Sequence, residues 1–109
     1  MRFNQYRVVW IFVFFDLPTE SKKQRKAHTK FRKNLLKDGF RMFQFSIYIR
    51  HCQSQEISIV HTNRIKSFLP DAGEIGILRV TDKQFGLIDL FSGIDKEKLP
   101  KTPQQLEFF

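Results

Sequence analysis

Phe40-Arg41-Met42-Phe43-Gln44-Phe45-Ser46-Ile47-Tyr48-Ile49 is the stretch on which the fold turns. It is rich in aromatic and β-branched residues, longer than a typical strand of about five or six, and interrupted by a polar centre at Gln44 and Ser46. It reads as one strand or as two joined by a tight hairpin.

Upstream, Val8-Val9-Trp10-Ile11-Phe12-Val13-Phe14-Phe15 is continuously apolar, the pattern of a strand covered on both faces. Asp16-Leu17-Pro18 ends it, because proline disfavours further pairing. Thr19 is suited to cap a helix, and Glu20 places a negative charge where the helix dipole favours it. The helix predicted over residues 20–37 buries a stripe of Ala27, Phe31 and Leu35, leaves Leu36 off it, and ends in a left-handed Gly39. Downstream, Ile57, Val60, Ile65 and Phe68 predict a second helix over residues 54–68, stopped by Pro70-Asp71-Ala72-Gly73. Residues 74–81 read as a strand and residues 86–91 as a further short one. With the hairpin option, the first six elements make an α+β, ferredoxin-like βαββαβ unit, to which the last strand is an addition. Residues 1–92 read as the folded domain and residues 93–109 as a C-terminal tail rich in Lys, Pro and Gln.

Composition narrows the function. At 109 residues the chain holds one core, too little for a two-domain enzyme with a cleft between. The single cysteine, Cys52, allows no intrachain disulfide and no cysteine-based zinc cage, which fits a reducing, cytoplasmic setting. The longest apolar run falls well short of the roughly 20 residues a membrane span requires. The formal net charge of +8 points to an acidic partner, nucleic acid before an anionic membrane.

That charge is concentrated. Between Thr19 and Asp38 lie Lys22, Lys23, Arg25, Lys26, Lys30, Arg32, Lys33 and Lys37, opposed only by Glu20 and Asp38 themselves. Such a run is commonly a solvated helix face, but like charges at i,i+4 repel, and a polyanion would relieve the repulsion. Lys22, Lys23, Arg25, Lys26 and Lys30 are therefore candidate phosphate contacts. Arg41, Tyr48 and Arg50 on the central β stretch are candidates for phosphate or base contact, with cross-strand packing as the competing use.

Asp16, at the end of an apolar strand and just before a helix, is the candidate catalytic and metal-binding carboxylate. One carboxylate is a poor Mg²⁺ site, and a strand-end aspartate is often no more than a solvated terminus. A two-fold dimer that pairs Asp16 with its mate would double the ligands and suit metal-assisted phosphodiester hydrolysis. His28, His51, His61 and Cys52 lack metal-ligand or nucleophile spacing and read as structural or surface residues.

Together, Phe14-Phe15-Asp16-Leu17-Pro18-Thr19, Lys30-Phe31-Arg32, and Leu35-Leu36-Lys37-Asp38-Gly39-Phe40 carry a family likeness. Met42, Gln44, Ser46, Tyr48, Arg50, His61, Arg64-Ile65-Lys66, Leu69-Pro70 and Val80-Thr81-Asp82-Lys83-Gln84-Phe85-Gly86 continue it. The ordered set resembles the CRISPR-associated Cas-two family, in the form that accompanies type II systems, over nearly the whole chain. The resemblance implies a homodimer in which a late strand of each protomer completes the other's sheet. It also implies a double-stranded-DNA scaffold that bridges dimers of the Cas-one integrase during spacer acquisition. The resemblance also implies a metal-dependent endonuclease activity, using Mg²⁺ or Mn²⁺ on DNA or RNA, that would map onto Asp16 alone and would be dispensable for integration, so enzyme and scaffold readings both stay open. The alternatives are a toxin-like endoribonuclease centred on Asp16, and a single-strand RNA reader with the same strand order. The latter is poorly matched, because Asp38-Gly39-Phe40-Arg41-Met42-Phe43-Gln44-Phe45 puts a charge where base-stacking sheets require a small residue. The apolar end of the tail, Leu106-Glu107-Phe108-Phe109, suits strand addition to a partner's sheet edge.

Overall fold

The computed structural model describes residues 9–93. The elements are β1 (Val9–Asp16), α1 (Lys22–Lys37), β2 (Arg41–Gln44), β3 (Ile47–Cys52), α2 (Gln55–Lys66), β4 (Glu74–Thr81) and α3 (Asp82–Phe85). The hairpin reading of residues 40–49 holds. Ser46 takes the left-handed conformation at φ 67°, its carbonyl accepts the Phe15 N–H at 3.1 Å, and β2 and β3 pair antiparallel across the turn.

The four strands form one antiparallel sheet in the order β2-β3-β1-β4, the ferredoxin-like βαββαβ arrangement. Strand alternation sends Val9, Ile11, Val13 and Phe15 of β1 to one face, where Ile11, Val13 and Phe15 join Phe31 and Leu35 of α1 and Ile65 of α2 in the core. Trp10, Phe12 and Phe14 point the other way. The expectation that β1 is covered on both faces holds only in part among the described residues, since α1 and α2 cover one face and the short α3 reaches only part of the other. On the opposite face Trp10 stacks on Phe85 with ring centroids 3.9 Å apart, and Phe12 meets Phe43 edge-on at 5.6 Å.

α1 begins at Ser21 rather than Thr19. Ser21 accepts the Gln24 N–H at 3.1 Å while the Gln24 side chain accepts the Ser21 N–H at 3.0 Å, a reciprocal box that fixes the start and leaves Glu20 outside the first turn. Phe31 and Leu35 are buried as expected, but Ala27 is exposed, and half-buried Gln24 and His28 complete the inner stripe. At the other end Gly39 N–H donates to Leu36 and Phe40 N–H to Leu35, with Gly39 at φ 86°, so the helix closes as the glycine foretold.

α2 departs further from its pattern. Ile65 is buried and Phe68 partly so, yet Ile57, Ile59 and Val60 are exposed while Ser58, His61 and Thr62 face inward. The hydroxyls satisfy themselves on their own helix, Ser58 donating to the Gln55 carbonyl at 2.6 Å and Thr62 to the Ser58 carbonyl at 2.8 Å, so burying them costs little. The short strand expected over residues 86–91 does not form within the chain. Thr81 and Gln84 build a second capping box that diverts the chain into α3, and residues 86–91 run on as turn and irregular structure. Most of the tail, with the partner-binding strand expected there, lies outside the described residues.

Candidate nucleic-acid interface and carboxylate site

α1 packs its Phe31–Leu35 side on the sheet, which turns the opposite side to solvent. Lys22, Arg25, Lys26, Lys30, Lys33 and Lys37 line a shallow groove along that outer side. With 16 residues rising about 1.5 Å each, the strip runs for roughly 24 Å. Among the described residues none of these cations forms an ion pair. The first turn contains no acidic residue and two lysines, the unfavourable sign for the helix dipole. Arg25 is also pinned, its Nη1 donating to the carbonyls of Thr19 at 3.1 Å and Glu20 at 3.0 Å, which holds the β1–α1 connection against the helix. Lys23 lies beside the strip, at a recess lined by Leu17, Pro18, Ala27, His28 and Pro70. Lys33 and Lys37 are the strip members that the candidate contacts omitted. Their i,i+4 spacing and their continuity with Lys26 and Lys30 are the signal that includes them.

Arg50 does not belong to this surface. It lies on the helix-covered face of β3, where its Nη1 donates to the Asp38 carbonyl at 2.9 Å and its Nε is buried without a hydrogen-bond partner. Its guanidinium fills the space beside Gly39 so closely that a Cβ there would fall 1.6 Å from Nη1. The expectation of a phosphate contact is corrected to a structural role. Tyr48 is likewise buried and accepts the Arg32 Nε–H at 2.9 Å, whereas Arg41 is exposed on the edge strand β2.

A second polar group, unnoticed in the sequence, ties α1 to α2. The Asp38 carboxylate meets His61 Nδ1 at 2.8 Å and Arg64 Nη1 at 2.9 Å, and both Asp38 and His61 side chains are nearly buried. His61 is thus structural, as its lack of metal spacing indicated. His28 rests edge-on against Phe15, and His51 lies exposed beside Trp10. Burial pushes the Cys52 thiol above its ordinary pKa, with the Arg50 cation pulling part of the way back.

Asp16 is exposed at the last position of β1, on the same face as Phe12 and Phe14, and stands directly across from Glu74 of β4 in the antiparallel register. Like charges facing each other across strands are destabilising, and a cation relieves them. Asp16 and Glu74 share a cleft with Phe14, Phe45, Ser46 and Gly76. Glu74 was invisible before the β1–β4 register was known. Among the described residues no group of three or more His, Cys, Asp or Glu side chains is placed to hold a metal. The described residues thus place two carboxylates, Asp16 and Glu74, at this cleft, a donor set that suits Mg²⁺ when water and phosphate oxygens complete the shell. Among the described residues no helix is long and apolar enough to cross a membrane.

Residues 9–88 match the family model described as CRISPR associated protein Cas2. The chain is 58% identical over 108 residues to the CRISPR-associated endoribonuclease Cas2 of Flavobacterium psychrophilum, covering 99% of this chain and 94% of that protein. It is 45% identical over 101 residues to the protein of the same name from Parvibaculum lavamentivorans, 93% and 100% of the two chains. A Streptococcus mutans protein of that name is 35% identical over 96 residues, 88% and 90% of the chains.

Proposed function

Because the chain belongs to the CRISPR-associated Cas2 family, we propose that it is a cytoplasmic, dimeric subunit of spacer acquisition that binds double-stranded DNA and bridges integrase dimers. The observation that carries this reading is the α1 strip, six cations on one solvent-facing side with no acidic partner among the described residues. A protein that kept such a strip for solubility alone would intersperse carboxylates. Phosphates remove the repulsion and release counterions from the duplex.

The dimer is supported by the largely uncovered sheet face. Among the described residues only the short α3 reaches that face, through Phe85 on Trp10, while Phe14 and Leu78 stay about half exposed. An aromatic sheet face of this kind is a natural two-fold interface. Asp16 sits at the end of β1 on that same face, so a two-fold there would bring two Asp16–Glu74 pairs towards one another. Asp16, with Glu74 across from it, would hold Mg²⁺ or Mn²⁺, and the bound ion would supply charge neutralisation at a phosphodiester.

Endonuclease activity is the second reading, favoured by the endoribonuclease named in the relatives and by the exposure of Asp16. Asp16→Ala separates the two. In spacer integration reconstituted with the integrase and a DNA fragment, the variant is expected to integrate as wild type while any metal-dependent cleavage of DNA or RNA disappears. Loss of integration with duplex binding intact would overturn the scaffold reading and favour the nuclease.

A further inference from the structure

We propose that the α1 strip is a modification site, at which acyl phosphates transfer their acyl group to Lys30 first and thereby weaken the surface for nucleic acid. The inference rests on the proposed phosphate binding by the strip and adds its regulation. Lys30 stands at the centre of the row. Lys26 lies one turn before it and Lys33 one turn after, about 6 Å and about 4.5 Å away along the axis. Lys22 and Lys37 end the row and have a neighbouring lysine on one side only. Asn34, half-buried at the wall of the groove and one turn beyond Lys30, adds an uncharged donor. All five lysines are exposed, and among the described residues no carboxylate holds any of their ammonium groups. The strip also lies on the opposite side of the sheet from the face given to the two-fold, so it stays accessible in the proposed dimer.

An acyl phosphate carries a doubly negative phosphate and an activated carbonyl in one small molecule. Held by the ammonium group of Lys26 or Lys33, its phosphate brings the carbonyl carbon beside the Lys30 side chain, and the encounter becomes in effect intramolecular. The deprotonated Lys30 amine attacks that carbon. A C–N bond forms as the C–O bond to phosphate breaks, and the departing phosphate takes the proton that the amine loses, so the products are a neutral amide and hydrogen phosphate. The amide suits the fold, because it removes one charge from each of the repelling pairs Lys26–Lys30 and Lys30–Lys33 and breaks no contact within the chain. Cys52, the one thiol, is buried and does not compete as a nucleophile. The charge that recruits the reagent is the charge that its reaction removes.

The experiment treats the full chain with acetyl phosphate and, in parallel, with acetic anhydride, which has no phosphate to dock. Initial acetylation rates are read lysine by lysine by mass spectrometry. The ratio of the two rates cancels the intrinsic reactivity of each amine and leaves the effect of docking. At Lys30 that ratio should exceed the ratio at Lys101, which has no cation within two residues, by roughly 2- to 30-fold, the attraction of two exposed charge pairs. Lys26→Gln and Lys33→Gln together should bring Lys30 down to the Lys101 ratio. Excess duplex DNA should protect Lys30 and leave Lys101 unchanged. Protein acetylated at Lys30 should bind the duplex more weakly, with a shallower salt slope, and should melt no lower than untreated protein. Absence of acetylation at Lys30, equal ratios at Lys30 and Lys101, a ratio indifferent to the double substitution, or an acetylated protein of lower melting temperature would overturn the inference. A high Lys30 ratio that duplex DNA does not lower would leave it standing and sink the assignment of the strip to DNA.

Discussion

Replacing Lys22, Lys26, Lys30, Lys33 and Lys37 together with glutamine removes five charges from the outer side of α1 and touches no buried contact. If each lysine neutralises one phosphate, the slope of log affinity against log salt is about −4.5 for this strip, so wild-type affinity should fall about 500-fold between 50 and 200 mM salt. The variant should lose that dependence while keeping whatever Lys23 and Arg25 contribute. Stability should move the other way. The five lysines make four neighbouring pairs at i,i+3 or i,i+4, and relief of repulsion at roughly 0.2–0.5 kcal/mol per pair gives about 1–2 kcal/mol. Lys22 in the first turn adds a few tenths more, about 0.3 kcal/mol or above, by leaving the positive end of the dipole. The assay is fluorescence anisotropy on a labelled duplex across that salt range, beside urea unfolding of the same preparations. A salt slope unchanged from wild type would refute the assignment of the strip to phosphate. So would a variant that is less stable than wild type, because the charges would then be satisfied within the fold. Greater stability with weaker binding is the signature of charge held for a ligand.

Gly39→Ala should destabilise the protein by about 2.5–5 kcal/mol in urea unfolding. Left-handed alanine costs roughly 1–2 kcal/mol, and a Cβ 1.6 Å from Arg50 Nη1 displaces the guanidinium from the Asp38 carbonyl, a charge-assisted bond of about 1.5–3 kcal/mol. An effect under about 1 kcal/mol would show that the guanidinium relocates freely. Cys52, buried and with its thiol pKa pushed up by that burial, should resist alkylation in the native state and react at once in denaturant. Because the unfolded chain releases this proton at lower pH than the folded one, the contribution of Cys52 to stability is complete below the ordinary thiol pKa of about 8.5 and is lost as pH rises through the higher folded value. Cys52→Ala should flatten that alkaline decline, as read by unfolding free energy between pH 8 and 10 on either side of the reference pKa near 8.5.

The elements that could be read from the sequence are those where one local signal sufficed. β1 is an apolar run with a proline stop, Gly39 supplies the only cheap left-handed residue after Leu36, and the Phe31–Leu35 stripe has no competitor on α1. What escaped depended on partners distant along the chain or on a choice between equivalent caps. Thr19 and Ser21 are both good caps, and only Gln24, three residues after Ser21, decides between them. α2 turns Ser58 and Thr62 inward because their hydroxyls bond to carbonyls one turn back and because Asp38, far upstream, claims His61 and Arg64. Arg50 read as a surface cation because its partner is a backbone carbonyl, which leaves no mark in a sequence. Asp16 was legible from its place at a strand end. Glu74, its cross-strand neighbour, was not, since register follows from pairing rather than from local pattern.

The division of the fold into layers bears on how one small domain could serve both as scaffold and as nuclease. α1 covers one face of the sheet and presents its cations outward, while Trp10, Phe12, Phe14 and Asp16 of β1 occupy the other face. A two-fold packed on the aromatic face would leave both cation strips on the outside of the dimer, so dimerisation and duplex binding would not compete for surface. A duplex lying along α1 would then be separated by the thickness of the sheet from the carboxylates, out of reach of any metal they hold. The connection from Asp16 to Ser21 passes from one layer to the other at the end of the sheet. On the proposed dimer, a duplex held along α1 would therefore lie away from the Asp16 carboxylates, so Asp16→Ala is expected to leave duplex affinity unchanged in the anisotropy assay, and a loss of affinity would show that the two layers are not separate in function.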